Sequence, residues 1–235
     1  TIELPVRVVP AARVRGTVLD TATEQPWPGR VRVRCSDGIL RHGSPYAHLP
    51  TLCEKPVIFR PAWKKLPFFY CDGTFEIQVP PGEIEITLER GYESFPVTLG
   101  LDLAPGADTN VTLGAERFVD MASEGWYSGD THIHWAHNAW DENLGLDLLA
   151  MVQRAEDLRV ANNLTLYQWR PAEAGGTFIK PDQAPPGPVA AYSGDGYHIQ
   201  MAEEYRNDNH YGHLNLLNIH QLVEPISTGP GSGGP

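Results

Sequence analysis

The hydrophobic period of the chain changes near residue 115, and this limits the fold more than any other feature of the sequence. Before that point apolar residues recur at every second position. "RVRVRC" (30–35) sets Val31, Val33 and Cys35 against Arg30, Arg32 and Arg34. "TFEIQV" (74–79) and "EIEITLE" (83–89) alternate in the same way, through Phe75, Ile77 and Val79 and then Ile84, Ile86 and Leu88. Period two with one apolar face describes strands half-buried against a second sheet. "PPG" (80–82) between two of these strands is a turn, since proline fixes φ and glycine permits a positive one. "TATEQPWPG" (21–29) reads as a loop, and residues 41–70 as an irregular insertion with five prolines and an aromatic exit, "FFY". About six or seven short strands are expected, which suits a small β-sandwich over residues 1–115.

After residue 115 the period lengthens. In "ENLGLDLLAMVQRAEDLRV" (142–160), Leu148, Met151, Val152, Ala155 and Leu158 fall on one helical stripe, the pattern of a helix lying on a sheet. Asp141 or Asn143 would cap its start. "VANNLTLYQW" (160–169), "YHIQMAEEY" (197–205) and "HLNLLNI" (213–219) read as strands. Strand, helix, strand predicts a parallel sheet or barrel, so the expected class is α/β for residues 116–226. The Pro/Gly-rich stretch 181–196 is expected to be a rim loop or lid. Residues 227–235, "STGPGSGGP", are expected to be a flexible tail.

Charge narrows the partners. The net charge of −11 over 235 residues argues against sequence-independent nucleic-acid binding, which needs a basic surface. No run of 18 apolar residues exists, so no membrane-spanning helix is expected. Cys35, Cys53 and Cys71 form no CxxC pair. They are either one disulfide with a free thiol or three reduced, mostly buried thiols. The sequence opens at Thr1, which fits a leader removed from a precursor or an artificial start. Export to a periplasmic or extracellular space is the expectation.

"GWYSGDTHIHW" (125–135) carries the chemistry. His132 and His134 are two apart, so in a strand they project from one face and can converge on one divalent ion. The spacing also suits two histidines hydrogen-bonded in a crowded strand. In "AEEYRNDNHYGHLN" (202–215), Glu203 and Glu204 end one predicted strand and His213 opens the next. A carboxylate and an imidazole at neighbouring strand ends would complete a site of three or four N/O ligands with an open position, the form of a catalytic metal site. Arg206 would reach an anionic substrate group, or pair with Asp208 at the surface. His42 and His48 in the insertion are expected to be solvated, and His137, His198, His210 and His220 to be surface or supporting histidines.

Two resemblances follow. "VRGTVLD", "GTFEIQVPPGEIEITLERGYE" and "NVTL" resemble the carboxypeptidase regulatory-like domains, transthyretin-type sandwiches that usually carry no chemistry. "GWYSGDTHIHW", "LLAMVQRAEDLRV", "EEYR" and "GHLN" resemble the PHP-type metal-dependent phosphoesterases, in the branch named for carbaryl hydrolase. That second resemblance implies a distorted seven-stranded β/α barrel holding one to three ions of zinc, manganese or iron. By position it implies His132, His134, Glu204 and His213 as metal ligands, and Asp130 as the acidic residue that orients an imidazole. The chain departs from the family pattern after the histidine pair, where "WAHNAWDENLG" replaces the usual Ser-Asp-Gly. It departs again at Gln168, where a histidine belongs. The late ligands have no counterpart, and only about four of seven barrel strands are expected. A second polypeptide or another copy is therefore expected to complete the barrel. The functional expectation is a metal-dependent hydrolase of a small ester or phosphoester. Its rival is a non-catalytic binding or assembly protein built on the sandwich and a degenerate metal scaffold.

Overall fold

The computed structural model describes residues 8–43, 68–135, 145–165, 185–206 and 212–223. His48, Cys53, Asp141, Gln168, His210 and the tail 227–235 lie outside the described residues, as does most of the 41–70 insertion. The chain forms two compact units. The first comprises the described residues up to Asp120, together with Ala155–Asp157; the second takes Met121–Arg154 and the residues from Leu158 onward.

The first unit is two sheets around one core. One sheet has the order β5 (Thr74–Val79), β1 (Ala12–Asp20), β8 (Asp108–Ala115). The other has the order β3 (Leu40–Arg41), β2 (Gly29–Cys35), β6 (Gly82–Glu89), β7 (Val97–Leu103), with β4 (Phe69–Cys71) also on β2. Alternation puts Val31, Val33 and Cys35 inside from β2, Phe75, Ile77 and Val79 from β5, and Ile84, Ile86 and Leu88 from β6. Gly82 turns β5 into β6 at φ 109°, a conformation that only glycine adopts without strain. Gly16 faces the core under Phe75, whose ring lies where a Cβ would stand. Cys35 and Cys71 are free, buried thiols. Burial pushes the Cys71 thiol up to about 11, so it stays protonated at neutral pH. His42 meets Phe69 edge-on, with ring centroids 6.4 Å apart, rather than lying free in solvent.

The second unit holds one five-stranded sheet. Its order is β11 (Gly187–Pro188), β12 (His198–Arg206), β10 (Val160–Thr165), β9 (Gly129–Ile133), with β13 (His213–Leu216) also paired to β12. β9, β10 and β12 run parallel, whereas β11 and β13 run antiparallel to β12. One helix, α1 (Leu146–Ala155), crosses between β9 and β10. Its Leu146 and Leu149 pack on Ala161, Ile199 and Met201, with Ile133 and Trp135 against them. Asp157 just beyond it has φ 51°, which ends the helical path.

This architecture corrects the expected fold class. Among the described residues strand makes up 51% and helix 11%, in three sheets, and α1 is the only α-helix. The second unit is therefore not an α/β barrel of the PHP type. The physical reason lies in the last strands. A barrel needs a crossover helix for every parallel step, but β13 returns antiparallel on β12 after a short connection. Among the described residues the 3.6-residue stripe in the sequence makes one helix. No described helix is long and apolar enough to cross a membrane.

Candidate metal centre

The residues near "THIH" are brought together by a fault in the sheet. Asp130 pairs with Ala161 and Ile133 with Asn163, so β9 spends three residues where β10 spends two. The extra residue is a β-bulge, which kinks a strand and re-aims its side chains. It also leaves backbone groups without ladder partners, and buried ones must find others. Four side chains supply them. Asp130 Oδ1 accepts from the His132 amide at 2.9 Å, and Asn162 Nδ2 donates to the Asp130 carbonyl at 2.9 Å. Asn215 Nδ2 donates to the Thr131 carbonyl at 3.0 Å, and Asn163 Oδ1 accepts from the Trp135 amide at 3.1 Å. The Trp135 indole in turn donates to the Gly145 carbonyl at 3.0 Å, just before α1.

A side chain on β13 reaches the backbone of β9 through the Asn215 contact with the Thr131 carbonyl. Ile133 packs on the helix side, and His132 and His134, on either side of it in sequence, leave the opposite face. Glu204 projects there from β12, opposite Asn215 in register.

Three side chains meet at one point. His132 Nε2 and His134 Nε2 are 2.9 Å apart, and Glu204 Oε2 lies 2.9 Å from His134 Nε2 and 3.5 Å from His132 Nε2. Metal bonds of about 2.0–2.1 Å set neighbouring ligand atoms about 2.9 Å apart at right angles and about 3.3 Å apart at the tetrahedral angle. The observed separations bracket those values. The Glu204 Oε2 contact lacks the alignment of a hydrogen bond, although the atom is buried. His132 Nε2 and His134 Nε2 are within hydrogen-bond distance of each other, and the same two nitrogens with Glu204 Oε2 are close enough to share a cation. The donor set fits a divalent ion, and His132, His134 and Glu204 form a group able to hold one.

Burial varies across the group. The Glu204 side chain is 3% exposed, that of His134 24% and that of His132 48%, so the centre opens to solvent on the His132 side. Burial alone would raise the Glu204 pKa. The close contact with His134 and the positive fields of His134, His213 and His132 outweigh it and hold the carboxyl at about 2. Glu204 is thus an ionised carboxylate inside the fold.

The remaining sequence candidates separate from this trio. His213 Nδ1 sits 2.6 Å from Glu204 Oε1, the oxygen turned away from the two imidazoles. Asp130 holds the backbone of His132 and not an imidazole ring. Arg206 ends β12 opposite His213 in register. Glu203 points to the other face and is fully buried, accepting from the Val223 amide at 2.7 Å. Sequence reasoning passed over Asn162, Asn163 and Asn215. Their signal was present: "VANNLTL" places two adjacent asparagines inside an otherwise apolar strand.

Comparison with known proteins adds little to this geometry. No family model matches the chain and no curated protein does. Neither resemblance drawn from the sequence, to PHP phosphoesterases or to carboxypeptidase regulatory-like domains, is supported, and the β-rich second unit overturns the first. Among solved structures the chain is similar to a DUF3823 family protein from Parabacteroides merdae. The match is 14% identical, covers 47% of this chain and 48% of that one, and has a TM-score of 0.27. The chain thus spans about half the length of that structure, and a likeness so low says nothing about function.

Proposed function

We propose that the second unit is a mononuclear metal centre of the His, His, Glu type and that it hydrolyses a small ester or phosphoester. The observation that carries this reading is the convergence of His132 Nε2, His134 Nε2 and Glu204 Oε2 on one point open to solvent. Three protein ligands with a free position is the form of catalytic sites, whereas structural sites are closed by a fourth ligand. Nitrogen and oxygen donors without a thiolate suit zinc, manganese or iron. A divalent ion there would supply Lewis acidity, polarising a carbonyl or phosphoryl oxygen and lowering the pKa of water. The chain does the rest: Glu204 contributes a fixed negative charge, the bulge aims both imidazoles, and the exposed side of His132 leaves room for a substrate. Arg206, at the end of the Glu204 strand, is the residue proposed to meet an anionic substrate group, with Asp130 supporting His132 through its backbone.

A second reading is a binding or assembly role carried by the first unit. It is favoured by the half-exposed pair Phe95 and Phe118, tilted against each other with 4.8 Å between centroids, and by Tyr92, which is 97% exposed. Exposed aromatic groups of that kind mark interaction surfaces.

One experiment separates the two. Zinc, manganese and ferrous iron are titrated into wild type and into a His132→Ala/His134→Ala variant, and each loaded protein is assayed on carboxyl ester and phosphoester substrates. The hydrolase reading expects one ion per chain and ester cleavage, both lost in the variant. Metal binding without turnover on any substrate moves the function to the binding role. Equal metal uptake by both proteins removes the centre itself.

A further inference from the structure

We propose that β13 is a positioning strand and not a source of ligands, with His213 fixing the Glu204 carboxylate and Asn215 fixing the bulge that carries His132. The proposal rests on the metal centre proposed above and concerns how that centre is held in shape.

The two oxygens of Glu204 face different neighbours. Oε2 faces the imidazoles of His132 and His134, while Oε1 takes His213 Nδ1 at 2.6 Å. A carboxylate otherwise turns about its last bond and offers either oxygen. The close ion-pair contact of His213 at Oε1 restrains the plane of the carboxylate and leaves Oε2 directed at the ion position, which is how supporting groups orient metal ligands. His213 does not belong to the converging trio.

Asn215 acts on the other half of the ligand set. It lies opposite Glu204 in register and donates to the Thr131 carbonyl, inside the bulge and next to His132. His213 and Asn215 are two apart, so they leave β13 on one face. One short strand therefore touches both elements that supply ligands, β12 through Glu204 and β9 through Thr131. The "GHLN" segment reads as a clamp between β12 and β9. The amide of Asn215 is well suited to this task, because a neutral donor can hold a carbonyl without adding a charge beside the ion.

The test is a zinc titration of the full chain across five variants, with cobalt substitution as a spectroscopic check of the ligand field. His213→Ala is expected to weaken binding about 10- to 100-fold while keeping one ion per chain. His213→Asn is expected to recover most of that loss, since its amide N–H can stand near the position of Nδ1–H. Asn215→Ala is expected to weaken binding in the same range, and Asn215→Asp, equal in shape but without the donor, to be no better. His132→Ala is the reference for a true ligand, with binding lost. If His213→Ala abolishes binding as His132→Ala does and Asn brings none of it back, His213 is a ligand and the proposal is wrong. Unchanged affinity in His213→Ala or Asn215→Ala overturns it equally.

A second readout needs no metal. Amide hydrogen exchange of the metal-free protein is expected to quicken over residues 131–134 in Asn215→Ala and to stay as in wild type when the substitution is Asn218→Ala. Unaltered exchange in Asn215→Ala defeats the clamp. Absence of metal binding in wild type, by contrast, defeats the centre, and the exchange result still decides whether β13 holds β9.

Discussion

Arg90 lies in the first unit with 5% of its side chain exposed, and its Nη1 donates to Asp20 Oδ2 at 2.7 Å. The guanidinium also covers the Trp27 ring at 4.8 Å. Asp20 Oδ1 accepts from the amides of Ala22 and Thr23, closing the turn after β1. Burial pushes the Asp20 pKa up, but Arg90 and the turn amides outweigh it and the net shift is downward. A carboxyl whose folded pKa lies below its unfolded value of about 3.9 contributes stability above that pH, and the contribution is lost as pH falls through the folded pKa. Asp20→Asn is therefore expected to destabilise the first unit by about 3–5 kcal/mol at pH 7, because it leaves a buried cation uncompensated. In urea unfolding the gap between wild type and variant should shrink below about pH 4; a gap that stays constant with pH would show that Asp20 acts by shape and not by charge. At this scale the sequence was uneven to read. His132 and His134 were legible because imidazoles two apart in a strand share a face, and Glu204 because it closes a neighbouring predicted strand. Asn162, Asn163 and Asn215 were passed over despite the adjacent pair in an apolar strand, since polar residues in a strand ordinarily mean a wet face and the register shift they support has no spelling in the sequence.

The bulge of β9 is the element on which the centre depends, and its support is separable from the core beneath it. Asn163 is 2% exposed and takes the Trp135 amide on Oδ1, one residue beyond His134. Asn163→Leu removes that acceptor and buries an unpaired N–H, at a cost of about 1–3 kcal/mol. Because the strand end then drifts, zinc affinity is expected to fall as well. Leu149→Ala, on the α1 side of the same sheet, removes buried apolar volume and should cost about 2–5 kcal/mol. The folded fraction of that variant should nevertheless bind zinc as wild type does. Paired measurements of unfolding midpoint and zinc affinity check this; equal losses of affinity in both variants would mean that the centre follows overall stability and not the bulge. Elements with a clean period were legible. "RVRVRC" became β2 within one residue and "TFEIQV" became β5. The long stripe over 142–160 became the ten residues of α1. What periodicity could not supply was strand direction. β13 looks in sequence like the next parallel strand, and its antiparallel return, set by hydrogen bonding to β12, is what removes the barrel.

At the scale of the whole molecule the two units differ in what holds them together. Among the described residues the core of the first unit has eighteen buried apolar side chains, from Ala12 to Ala115. The described part of the second unit has nine, five of them in the cluster under α1, while Asn162, Asn163, Thr165, Gln153, Glu203 and Glu204 are buried polar residues of the same unit. Each buried CH2 contributes about 0.8 kcal/mol, so the first unit has the larger apolar reserve. Buried polar groups add little net stability even when satisfied. The second unit is thus the one that a bound ion should stabilise. An ion that binds only the folded form adds RT ln(1 + [L]/Kd), which is about 2.7 kcal/mol at a hundredfold excess over Kd. Native-state hydrogen exchange can assign that increment to a unit. With zinc at that excess, opening free energies in β9, β10 and β12 should rise by about this amount, and those of β2 and β6 should not move. In His132→Ala/His134→Ala the rise should vanish, and the metal-free values should lie below wild type, because the buried Glu204 carboxylate loses the two imidazoles that hold its pKa down. A rise shared equally by both units would mean that zinc acts elsewhere on the surface, and a rise that survives the double substitution would remove these histidines from the ion's ligand set. If protection grows in the second unit alone and depends on both histidines, then ion binding and folding of that sheet are one equilibrium, since the convergence of His132, His134 and Glu204 is what the ion rewards.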